Sequence, residues 1–83
     1  MTSKPLFEFH AACREVVVCR GNPALDYAID YAQAGLAMTD ADECRVQCLY
    51  LCENITKWRG PIAEGARKAF RRLSLPSAWE SER

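Results

Sequence analysis

Net charge is missing from this chain: its 83 residues set eleven lysines and arginines against eleven aspartates and glutamates. A neutral protein has no bulk attraction for nucleic acid or an anionic membrane unless its charges are segregated. Histidine is nearly missing too, with His10 alone, so no histidine-carboxylate metal motif is present. The glycines, Gly21, Gly35, Gly60 and Gly65, are scattered, which excludes a glycine-rich phosphate loop. No apolar run approaches the roughly 20 residues that span a bilayer as a helix. The stretch "MTSKPLFEFHAACREVVVC" lacks a basic segment followed by an uninterrupted apolar run. The expectation is therefore a protein without a secretory signal, working in the cytoplasm. In that compartment an odd set of five cysteines remains as thiols, and Asn54-Ile55-Thr56 carries no glycan.

What the chain does have is apolar content and clear punctuation. Nearly half its residues are apolar and about a quarter are charged, the balance of a soluble globular domain. At this length it buries only roughly 60% of the surface its unfolded chain exposes, so the core is small. Asn22-Pro23 sets a capping side chain before a proline suited to the first helical position. Thr39, followed by Asp40, Ala41 and Asp42, reads as a capping start with acids in the first turn. Gly60-Pro61 closes one helix and opens the next, while Gly21 and the stretch 35–38 mark the other breaks.

Between these marks the periodicity is helical, and the expected fold is all-α. It is a compact bundle of about four short helices at 6–20, 23–36, 40–58 and 61–73, with an irregular tail. The domain is expected to cover 1–75 and the tail 76–83, Leu75 or Trp79 folding back on the bundle. Leu6, Phe9, His10, Cys13, Val16 and Val17 share a face of the first helix; Leu25, Ala28, Ile29, Ala32 and Leu36 one of the second. Ile62, Ala66, Ala69, Phe70 and Leu73 line the fourth. The β-branched run at 16–18 would also suit a strand, but no partner strand is visible, which leaves helix or strand open over 14–19 with helix favoured.

The third helix carries "ECRVQCLYLCENITKWRG", with Cys44, Cys48 and Cys52 four residues apart. Zinc requires ligands converging at about 2.0 to 2.3 Å. Cys44 and Cys52 lie about 12 Å apart along the axis, so the three cannot share one ion. A mixed site of His10, Cys13, Cys48 and Cys52 is conceivable, yet no tight C-x-x-C spacing supports it. Core packing is the expected role, since free cysteine is a small apolar filler, and neither metal nor cofactor is expected. Cys44 alone sits near a helix N-terminus, which is slender support for a nucleophile, and His10 lies on an apolar face. The expectation is a protein that is not an enzyme.

Two surfaces suit partners. Tyr27 and Tyr31 lie off the apolar stripe of the second helix, and Val46, Leu49 and Tyr50 form a second stripe opposite the cysteine face of the third. Such residues are the anchors of protein interfaces, although they would also pack inside a bundle. Lys57, Arg59, Arg67, Lys68, Arg71 and Arg72 form a basic patch, read either as a solvated face with a Glu64-Lys68 pair or as a phosphate contact. A helix-turn-helix over 23–58 is disfavoured, because Asp40, Asp42 and Glu43 would meet the DNA backbone.

Residues 31–73 resemble a group of small proteins encoded in bacterial prophages and genomic islands. The shared pattern is A-G-L, a short turn, then R-V-Q-x-L-Y-x-x-x-N-x-x-x-W-R-G. Here it falls on Ala34, Gly35 and Leu36, on Arg45, Val46, Gln47, Leu49, Tyr50 and Asn54, and on Trp58, Arg59 and Gly60. No activity is attached to the group, so no residue role carries over. The resemblance implies a small accessory protein that binds a bacterial host protein or defence complex and inhibits or modulates it; the third helix, apolar on both sides and so central in a bundle or shared with another chain, adds the homodimer as an expectation. A DNA-associated transcriptional regulator using the basic fourth helix is the alternative.

Overall fold

Each helix begins where the chain supplies an oxygen or a proline to its first turn. In the computed structural model, which describes residues 3–82, α1 runs Lys4–Val18 with the Ser3 side chain accepting from the Leu6 N–H. Residues 1, 2 and 83, the ends of the expected domain and tail, lie outside the described residues. A 3-10 turn, Pro23–Leu25, is capped by Asn22, and α2 follows at Ala28–Leu36. α3 runs Ala41–Asn54, and its cap is Asp40, which accepts from the Glu43 N–H at 3.0 Å. Thr39 is therefore one residue outside its expected role. α4 runs Pro61–Leu73 behind Gly60, whose φ of 110° suits glycine alone. A second 3-10 segment, Pro76–Glu82, completes the described chain.

The all-α bundle of four helices is as expected, and no strand occurs among the described residues. Residues 14–18 are helical, so the valine run is not a strand. Several boundaries move. α1 starts two residues earlier than expected and ends two earlier, because Ser3 and Pro5 form the start signal. The second expected helix breaks into a proline-led 3-10 turn and a nine-residue α-helix. The third stops at Asn54 instead of 58: Asn54 Nδ2 donates back to the Tyr50 carbonyl, and the carbonyls beyond turn to arginines.

The helices neighbour one another in a ring, α1 beside α2, α2 beside α3, α3 beside α4 and α4 beside α1. At its centre lie Phe9, Cys13 and Val16 of α1, Ala28 and Ala32 of α2, Cys44, Cys48 and Leu51 of α3, and Ala66, Phe70 and Leu73 of α4. Each large apolar side chain buried there contributes about 1.5 to 3 kcal/mol. Phe9 meets Phe70 edge-on at 6.3 Å and Trp79 at 6.4 Å. Trp79 does fold back: it is buried, and its indole N–H donates to the Leu73 carbonyl at 2.8 Å. Leu75 stays exposed. The tail is thus regular enough to be part of the bundle.

Gly35 is no helix break. It sits inside α2 against α1, where a Cβ would lie 2.8 Å from Cys13 Sγ and 3.0 Å from Phe9 Cζ. Ile62 leaves the expected apolar face of α4 and is exposed; Ala63 takes its place in the core.

Candidate functional site

α2 and α3 together build the aromatic surface that the two tyrosine stripes anticipate. Gln47, buried between the helices, donates from Nε2 to the Tyr31 carbonyl at 2.8 Å. The bond fixes the register of α3 against α2. Tyr31 then stacks on Tyr50, with ring centroids 5.5 Å apart and planes 14° from parallel. Offset-stacked aromatic pairs are favourable beyond their buried area. Both rings stay exposed, as do Val46, one turn before Tyr50, and Leu49 beside it on the outer face of α3. An open hollow of about 380 Å³, lined by Met38, Asp42, Glu43, Val46 and Gln47, continues the surface toward the start of α3. Tyr27 is 80% exposed at the start of α2 and takes no part in the stack. Gln47, which orders the site, was not singled out as an interface residue from sequence; a lone glutamine among apolar neighbours at the i−3 and i+4 positions was its signal.

The basic patch is divided. Arg67, half-buried, donates to the carbonyls of Ile55 and Trp58, and Arg59 donates to the Thr56 carbonyl at 2.6 Å. These two arginines close the chain between α3 and α4. Arg72 pairs with Glu8 of α1, the one ion pair among the described residues. Glu64 and Lys68 do not form their expected pair. Lys57, Lys68 and Arg71 are left as the outward cations, with Glu64, Arg67, Lys68 and Arg71 around a shallow hollow.

The cysteines lie in the core. Cys13, Cys44 and Cys48 are fully buried and Cys52 is half-buried; all five thiols are free of disulfides. Burial, reinforced by the neighbouring Cys44, pushes the Cys13 thiol up to about 12. Desolvation raises Cys48 and Cys52 as well, Arg71 and Arg67 opposing it at Cys52. Thiols held protonated in this way are poor nucleophiles and poor metal ligands. Among the described residues no group of three or more His, Cys, Asp and Glu could hold a metal ion. His10, the fourth member of the mixed site, instead donates from Nε2 to the Met38 carbonyl at 2.8 Å, tying α1 to the turn before α3. No helix is long and apolar enough to cross a membrane among the described residues.

A second apolar surface escaped the sequence reading. Ala11, Ala12, Gly65, Ala66 and Ala69 leave a trough along the seam of α1 and α4, with Phe7 at one end and Val18 and Ile62 at the other. Those three larger residues are exposed. Its signal was the small residues facing each other across two helices, visible only once the helices are paired. No protein family model, no curated protein and no solved structure matches this chain.

Proposed function

We propose that this protein acts by binding another protein through the outer face of α2 and α3. The observation that carries the reading is the exposed Tyr31–Tyr50 stack, held by a buried glutamine and continued by Val46 and Leu49. An ordered pair of aromatic side chains on the surface loses little freedom on association and supplies the anchor type that dominates interfaces. The raised Cys13 thiol and the engaged His10 argue for a non-catalytic role, because the groups best suited to chemistry are buried or already bonded. Together with the resemblance to prophage-encoded proteins, this supports an accessory protein that inhibits or modulates a bacterial host protein or defence complex in the cytoplasm. The alternative, a DNA-associated regulator, has less to work with, because Arg59, Arg67 and Arg72 are engaged within the fold.

The test is a tagged pull-down from a nuclease-treated bacterial lysate, run in parallel with Tyr50→Ala, whose fold is verified by circular dichroism. One host protein enriched by the wild type and lost with Tyr50→Ala is the expected result. Equal recovery with both proteins overturns the reading. Retention on DNA that falls with salt and with Lys68→Glu and Arg71→Glu would replace it by the regulator.

A further inference from the structure

We infer that the outer face of α2 and α3 receives the apolar side of a basic amphipathic helix from its partner protein. The inference deepens the binding role proposed above and rests on it. Its ground is the distribution of charge. Residues 21–56 contain Asp26, Asp30, Asp40, Asp42, Glu43 and Glu53 against a single base, Arg45. All six acids are exposed. Residues 57–72 carry the compensating excess, six bases against Glu64. The neutrality of the chain is therefore a cancellation between two stretches of the sequence, the acidic one holding α2 and α3 and the basic one holding α4.

On α3 the apolar and acidic residues interleave. Val46, Leu49 and Tyr50 share the solvent-facing arc with Asp42, Glu43 and Glu53: Val46 lies three or four residues from both Asp42 and Glu43, and Glu53 three or four from both Tyr50 and Leu49. Apolar anchors ringed by carboxylates fit a partner with apolar anchors ringed by lysine and arginine. The stacked tyrosines also favour a guanidinium, which is attracted to aromatic ring faces. Three other occupants are opposed by the same field. A second copy docking through this face would set acids on acids, and nucleic acid and anionic lipid are repelled. A helix suits the surface better than an extended segment, since no strand edge exists among the described residues to satisfy an added backbone. The trough between α1 and α4 has no comparable signature, because Arg14 and Glu15 line it side by side.

Two synthetic helical peptides of equal length test the inference. Both carry leucines at i, i+3, i+4 and i+7, one with lysine and arginine at the remaining positions and its twin with glutamate. Binding is followed by amide chemical shifts of the labelled full chain. The cationic peptide is expected to bind, to move the signals of Tyr31, Val46 and Tyr50, and to weaken as salt is added. Affinity should fall about tenfold with Tyr50→Ala. It should fall again with Glu43→Lys combined with Glu53→Lys, two exposed positions outside the core. Equal binding of the two peptides, shifts clustered on the α1 and α4 trough, or self-association of the chain under the same conditions would each overturn it. A pull-down partner that is lost with Tyr50→Ala yet insensitive to the charge reversals leaves the binding role standing and defeats this inference alone.

Discussion

Substituting Gly35 by alanine adds one methyl group where α2 packs closely on α1. Its Cβ would sit 2.8 Å from Cys13 Sγ and 3.0 and 3.3 Å from two carbons of the Phe9 ring. Cys13 has another rotamer to try, but Phe9 is fully buried against Phe70 and Trp79 and has nowhere to retreat. Inserting a methyl group into a filled core costs about 2 kcal/mol. Alanine in place of glycine inside a helix returns about 1 kcal/mol. The net loss is about 1 kcal/mol, which lowers Tm by roughly 4 to 8 °C for a domain of this size. Urea and thermal unfolding followed by circular dichroism measure it. A double-mutant cycle with Cys13→Ala should recover part of the loss, with a coupling of about 0.5 to 3 kcal/mol, because the closest clashing atom is gone. A Gly35→Ala protein more stable than wild type would refute the reasoning, since that is the behaviour of a glycine on an open helix face.

Alkali should unfold the protein through its buried thiols. The folded chain keeps the Cys13 proton to about pH 12 whereas the ordinary value is 9.0, so stability holds its full value below pH 9 and is lost as pH rises toward 12. Cys13→Ala should lose stability less steeply over that range, and identical profiles would count against burial as the cause. In the native state, reaction with a thiol reagent at neutral pH should reach Cys19 and Cys52 before the three buried cysteines, a ranking that peptide mapping can contradict. Trp79→Ala should cost about 3 to 5 kcal/mol in urea unfolding, as for other buried aromatics cut to alanine; a change below about 1 kcal/mol would mean the tail does not belong to the core. Arg67→Gln should cost about 2 kcal/mol through the carbonyls it leaves, while Lys68→Ala stays within about 0.5 kcal/mol, and a reversed order would show that the two arms of the patch have been misassigned.

The features legible in the sequence were those written in one place. Asn22-Pro23 and Gly60-Pro61 work through neighbouring atoms, and both mark starts in the structure. The valine run was settled by its surroundings, since a strand needs a partner. The end of α3 was not legible: Ile55 and Trp58 keep the helical spacing and are buried, but their carbonyls are taken by Arg67, from a different helix. Gly35 looked like a break because glycine breaks helices locally, and its packing role required α1 to be in view. Ile62 illustrates the reverse error, where a matching period placed an apolar residue on a face that alanines fill. For the candidate site, the tyrosines and the α3 stripe, which the structure leaves exposed, were readable as residues for either an interface or the bundle interior. Their stacking was not, because it depends on the rotation of α2 against α3 that the Gln47 bond sets. The basic patch could be counted but not apportioned between solvent and carbonyls.

The ring of neighbours has a consequence for how the chain finds its fold. Three of its seams join consecutive helices and form from contacts close in sequence, the kind that assemble on microsecond to millisecond timescales. The fourth joins α1 to α4, where Phe9 meets Phe70 with Trp79 of the second 3-10 segment beside them, and it closes a loop spanning most of the molecule. Loop-closure entropy grows only as the logarithm of length, so this last seam is affordable once the others are in place. Phe9 is the common member of those contacts and of the tight packing under Gly35. It joins the α1–α2 seam to the α1–α4 seam, and trimming its ring should slow refolding as well as speed unfolding, the behaviour of a residue that belongs to the folding nucleus.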